Sequence, residues 1–125
     1  MIVPKVWGEE LIIVNDPKVN YCGKLLKIKY QHRCSLHKHN IKDETFYINK
    51  GTVYLELGDS KSWLVKGDSV RVKPGIYHRF TGTTYAEIIE FSTFHKDEDS
   101  IRFEGKLGGK VPDDEFKKII MEVNK

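Results

Sequence analysis

At 125 residues, 39% hydrophobic and 31% charged, and with no apolar run near the roughly 20 residues that cross a bilayer, the chain has the profile of one soluble globular domain. Its 21 basic and 18 acidic residues leave a formal charge of +3, and the two signs alternate with no basic block to track a phosphate backbone, which argues against nucleic acid and membrane partners. The opening MIVPKVWGEELIIV lacks a basic stretch followed by an apolar one, so a cytoplasmic location is expected. In that reducing compartment Cys22 and Cys34, without CxxC spacing, are expected to remain unbridged.

From about residue 10 to 94 the chain is a succession of short apolar or alternating segments: LIIV, GKLLKIKY, ETFYINKG, TVYLEL, SWLV, DSVRVKPG, YHRF and TYAEIIEF. Glycines 23, 51, 58, 67, 75 and 82 punctuate them. This spacing predicts an all-β antiparallel sandwich or barrel. In KLLKIKY the alternation sets Leu26, Ile28 and Tyr30 on one face and Leu25, Lys27 and Lys29 on the other. A charged, glycine-containing loop is expected over about 95–111. In VPDDEFKKIIMEVNK the apolar residues Phe116, Ile119, Ile120 and Val123 recur at helical spacing behind Pro112, Asp113 and Asp114, predicting a short amphipathic helix over about 112–123 packed on the outside of a sheet.

The segment CSLHKHNIKDETFYINKG carries the chemistry. Residues two apart on a strand share a face, so His37 and His39 point together. Residues 40–43 would turn the chain, and Glu44 would open the next strand beside the two imidazoles. Downstream, Lys73, Pro74 and Gly75 make a bend, and His78 begins a strand at a similar level. Three imidazoles and one carboxylate meeting in a barrel suit a divalent transition metal, zinc, manganese, iron, nickel or cobalt, with two coordination positions left open. Solvated histidines at a strand edge are the competing reading.

These residues, His37-Lys38-His39, Glu44, Gly51, Gly67, Pro74-Gly75 and His78, resemble the two motifs of the cupin superfamily, small β-barrels that usually bind one metal. Gln31 stands where the first motif usually begins with glycine, and Lys73 replaces a common proline. The resemblance implies a single-domain jelly-roll barrel with the four residues as metal ligands. Trp7-Gly8, Ser35-Leu36 before His37, and IIEFSTFH look like the cupin domain of type II phosphomannose isomerases and the related lyxose and mannose isomerases. That likeness implies metal-dependent aldose–ketose isomerisation of a sugar or sugar phosphate through an enediolate, and pairing as a homodimer.

With Glu44 taken as a ligand, a separate base must move the proton. Glu90, on one strand face with Ala86, Ile88 and Ser92, is the first candidate, and Glu87 on the opposite face is the second. Lys29, Arg71 and Lys73 are candidates for holding substrate hydroxyls or a phosphate. His32 and His95 carry no motif spacing, and Tyr47, Tyr77 and Phe80 are expected to pack in the core or cavity wall. Two other functions fit the same ligands: a non-haem iron cupin dioxygenase, and a non-enzymatic metal- or sugar-binding module.

Overall fold

A computed structural model describes residues 1–123; the side chain of Val123, the last predicted apolar helix position, lies outside the described residues. Alternation of apolar and polar residues gives strands that pair into two antiparallel sheets. The first runs β1 (Ile2–Lys5), β2 (Gly8–Asp16), β3 (Tyr21–Ile28), β11 (Ala86–Ser92), β6 (Glu44–Lys50) and β9 (Ser69–Val72). The second is centred on β10 (His78–Gly82), which pairs along one edge with β7 (Thr52–Leu57), itself paired with β8 (Ser60–Val65). Along its other edge β10 meets β5 (His37–His39) at its His78 end and β4 (His32–Arg33) at its Thr81 end. The short strands β12 (Ser100–Arg102) and β13 (Gly109–Lys110) close onto β5 and β4.

Strands therefore begin at Ile2, ahead of the expected barrel start near residue 10. The expected loop 95–111 also contains β12, β13 and two 3₁₀ turns, Asp97–Asp99 and Phe103–Gly105. Backbone pairing of residues 100–102 with His39–His37 draws that charged segment onto the sheet edge, a long-range contact that no local periodicity announces.

Between the sheets Trp7, Ile28, Ile48, Leu55, Phe80 and Ile88 form part of one buried cluster. The inward row of each core strand changes character along its length. Leu26 and Ile28 share their face with Lys24, Phe46 and Ile48 with Glu44, Ala86 and Ile88 with Glu90, and Phe80 with His78, and all of these residues are buried. One end of the barrel is thus filled with hydrocarbon, and the other holds buried polar groups that need partners. Tyr30 departs from the predicted face: β3 ends at Ile28, and Tyr30 sits outside, edge-on to Phe116 at 5.3 Å.

Helix α1 (Asp113–Val123) packs on the outer face of the second sheet, where Phe116 and Ile119 are buried with Tyr54 and Val111 and flanked by Trp63 and Ile120. Asp113, Asp114 and Glu115 fill its first turn, where carboxylates complement the helix dipole. Among the described residues no helix is long and apolar enough to cross a membrane.

Candidate metal centre

β5 and β10 place the imidazoles. His37 and His78 stand directly opposite each other in the strand pairing, so their side chains share the inward face. The backbone N–H of Gly75 donates to the His39 carbonyl at 2.6 Å, tying the Pro74-Gly75 bend to the first histidine segment. Gly75 adopts φ 84°, a left-handed conformation that glycine takes without steric cost. At the other end of the first motif, Gly51 has φ 78°, and a Cβ there would lie 2.2 Å from the Tyr85 carbonyl oxygen.

The ring nitrogens of His37, His39 and His78 come within 4.8 Å of one another. His37 Nδ1 lies 2.7 Å from the Ser35 carbonyl and His78 Nδ1 3.0 Å from the Ile76 carbonyl. A carbonyl only accepts, so both Nδ1 atoms carry hydrogen, and in the neutral ring each Nε2 presents a lone pair. Burial holds His37 well below the ordinary histidine value, at about 3, and His39 at about 4, so both rings are neutral donors for a metal.

Glu44, buried at the start of β6, lies beside this triad, 3.6 Å from His39 Nε2 through its Oε1, and is not one of the three residues whose ligand atoms all come within 4.8 Å of one another. Its Oε2 lies 3.3 Å from His78 Nε2, and neither buried atom has a hydrogen-bond partner. Two lone-pair donors facing each other across 3.3 Å are relieved by a cation between them. This orphaned pair, with two neutral imidazoles beside it, fits a bound divalent ion.

Glu44 Oε1 is held by Lys42 Nζ at 3.0 Å, and the same ammonium donates to Glu90 Oε2 at 2.7 Å and to His95 Nδ1 at 2.9 Å. Lys42 is 2% exposed. Burial opposes its charge, yet Glu90 and Glu44 raise its pKa above the ordinary lysine value. His95 in turn donates from Nε2 to Asp97 at 2.9 Å. Beside this chain Lys24, also 2% exposed, pairs with Glu10 at 2.8 Å.

These groups line a cavity of about 600 Å³ whose apolar wall includes Trp7, Leu26, Phe46 and Phe80. The structure brings His37, His39, Glu44, His78 and Glu90 together there. Lys29, Arg71, Lys73 and Glu87 are not among its lining residues. Lys29 is exposed beyond the end of β3, Arg71 pairs with Asp43 at 2.6 Å on the outer face of β9, Lys73 is exposed on the Pro74 bend, and Glu87 accepts from Tyr85 on the outer face of β11. Strand parity explains Arg71, because its neighbours Val70 and Val72 face inward and a single step reverses the side. Tyr47 is likewise an outward residue, and Tyr77 packs against Phe103 at 5.5 Å. Lys24, Lys42 and His95 are the residues that sequence reasoning missed. Only Lys24 carried a signal, sharing the parity of Leu26 and Ile28.

Residues 25–92 match the family model of the cupin domain, a span that contains all four proposed ligands and Glu90. The chain belongs to the cupin family. Over 80 residues, 60% of this cupin, it is 38% identical to acireductone dioxygenase from Xenopus laevis. The cupin spans about two fifths of the length of that relative, 41%. Among solved structures it superposes on KdgF from Halomonas sp. with a TM-score of 0.66 at 19% identity, covering 72% of this chain and 81% of that one. On an oxalate decarboxylase variant from Bacillus subtilis the TM-score is 0.73 at 15% identity, covering 82% and 30%. Both superpositions report a shared jelly-roll fold.

Proposed function

We propose that this cupin is a metal-dependent enzyme for a small polyoxygenated molecule, and that its reaction is the oxygen-dependent cleavage of an enediol or enediolate. The opposed lone pairs of His78 Nε2 and Glu44 Oε2 carry the proposal, because they call for a cation at the head of an open cavity. Similarity to an enzyme named for dioxygenation of an acireductone, an enediol conjugated to a carbonyl, favours this reaction over the aldose–ketose isomerisation that the motif likeness implied. Held by His37, His39, His78 and Glu44, a divalent ion such as iron, nickel, manganese, cobalt or zinc would supply chelation of two vicinal oxygens and, where redox-active, electron exchange with dioxygen.

The chain's own groups have three tasks. Lys42 occupies Glu44 Oε1, which restricts that ligand to its Oε2. Glu90 is the group to take the substrate's proton: Lys42 and Ser92 both donate to its Oε2, leaving Oε1 without a partner among the described residues. Trp7, Leu26, Phe46 and Phe80 exclude water from the reacting end, which strengthens every polar contact inside. We place the protein in the cytoplasm as a homodimer.

The test is a metal-loading series with iron, nickel, manganese and zinc, followed by oxygen uptake with a synthetic acireductone. Uptake that needs the metal and stops on chelation is the expected result. Interconversion of mannose, lyxose or their phosphates without oxygen uptake would replace this reading with the isomerase. Metal binding with neither reaction would leave a non-enzymatic binding module.

A further inference from the structure

We infer that Arg102 forms an anion subsite at the mouth of the metal cavity, so that the substrate carries a carboxylate or phosphate in addition to the oxygens presented to the metal. The inference rests on the metal-centre reading and adds a substrate class to it.

Arg102 is the last residue of β12, directly opposite His37 in the antiparallel pairing. Opposed residues project from the same face, so Arg102 lies on the ligand side of the sheet, and it lines the cavity. Its strand-mate Ser100 stands opposite His39 and reaches His39 Nδ1 at 3.3 Å, while Arg102 itself is exposed at the rim, as is Ile101 between them on the opposite parity.

Charge decides what this guanidinium is for. Four basic side chains line the cavity: Lys5, Lys24, Lys42 and Arg102. Lys24 and Lys5 share Glu10, at 2.8 and 3.9 Å, and Lys42 holds both Glu44 and Glu90. Among the described residues Arg102 alone of the four has no carboxylate within ion-pair distance. The acidic lining groups, Glu10, Glu44, Glu90 and Asp97, also number four, so basic and acidic charges balance before any ion enters. A divalent cation would make the site positive, and a substrate with two negative charges would restore neutrality. A planar fork of N–H donors suits a carboxylate or a phosphate bidentately.

The experiment titrates malonate and inorganic phosphate, by calorimetry, into the full chain, once chelator-treated and once zinc-loaded. Wild type is expected to bind at least one probe in the chelator-treated form, because the subsite is protein-built. Arg102→Gln should weaken that binding roughly tenfold or more, and Arg102→Lys should fall between, keeping the charge and losing the fork. Lys66→Gln, an exposed cation outside the cavity lining, should bind like wild type. Malonate preference marks a carboxylate substrate and phosphate preference a phosphomonoester. Equal binding by wild type and Arg102→Gln, or no binding of either probe by wild type, overturns the subsite. Anion binding without oxygen uptake would reject the dioxygenase reaction and leave the subsite standing, so the two failures are separable.

Discussion

At the scale of single residues, Lys42 links Glu44, a proposed metal ligand, to Glu90, the proposed proton acceptor. It is an ammonium in a nearly dry site with two carboxylates against it, and removing one partner from such a group leaves unpaired buried charge. Lys42→Met should lower the unfolding free energy of the metal-free protein by ~3–5 kcal/mol, read by urea denaturation. Glu90→Gln should cost less, since Lys42 keeps Glu44 as its counter-charge. In the double variant one excess carboxylate disappears, so it should be more stable than Lys42→Met alone; a double variant less stable than that single would show the network is misassigned. The four proposed ligands were legible because each sits at a strand-determined position, in the order His-x-His, turn, Glu, bend, His. Lys42 was not, because residues 40–43 lie in the connection between β5 and β6, where period two ends. Nor was His95, which follows β11 on a loop held by the Asn15 side chain, 80 residues away in sequence. Arg102 had a strand parity only once β12 was known to exist.

Among the elements, the docking of α1 shows how departures from a motif are absorbed. Gln31, at the position where cupins usually carry glycine, adopts φ 61°, a left-handed conformation that costs a side-chain-bearing residue about 1 kcal/mol or more. Its amide Nε2 donates to the Val111 carbonyl at 2.9 Å and to Asp113 at 2.6 Å, so the strained residue fastens the start of the helix. Arg33 adds a two-pronged contact with Glu115, at 2.6 and 3.2 Å. That guanidinium holds Glu115 below the ordinary carboxylate value of 4.5, against the opposing effect of burial. A depressed folded pKa means that the unfolded chain binds its proton first as pH falls. The stabilisation from Glu115 is therefore fully present above about 4.5 and disappears as pH drops through the lower, folded value. Glu115 is 43% exposed, so solvent screens the pair and its contribution is about 0.5–1 kcal/mol. Wild type and Glu115→Gln should differ by that amount near pH 7 and converge as pH falls through the folded value of Glu115 in parallel thermal melts, and a gap unchanged across that acid titration would assign the effect to packing. The helix itself was legible from its 3.6-residue period. The fastening was not, since Gln31 and Arg33 precede their partners by about 80 residues.

For the molecule as a whole, the outer face of the first sheet raises the question of what covers it. Leu11 stands opposite Leu25, Leu25 opposite Ile89, and Ile89 opposite Tyr47, so four apolar side chains cross β2, β3, β11 and β6 in one row. Phe91, 58% exposed, extends the apolar surface on β11. The neighbouring row reads Glu9, Lys27, Glu87 and Lys50, with Glu9 and Lys27 paired at 3.5 Å, so charges of both signs border the apolar one. A continuous apolar row with an alternating charged margin is complementary to a second copy of itself about a two-fold axis, where each charge can meet its opposite. The predicted dimer has twice the 14.5 kDa mass of the chain in light scattering at tens of micromolar. Ile89→Lys places a cation in the middle of the row and should shift that mass to one chain, while the far-ultraviolet spectrum and metal uptake stay unchanged because the substitution faces away from the cavity. A wild-type mass of one chain under the same conditions would mean that this face is solvated and that the site works in a monomer.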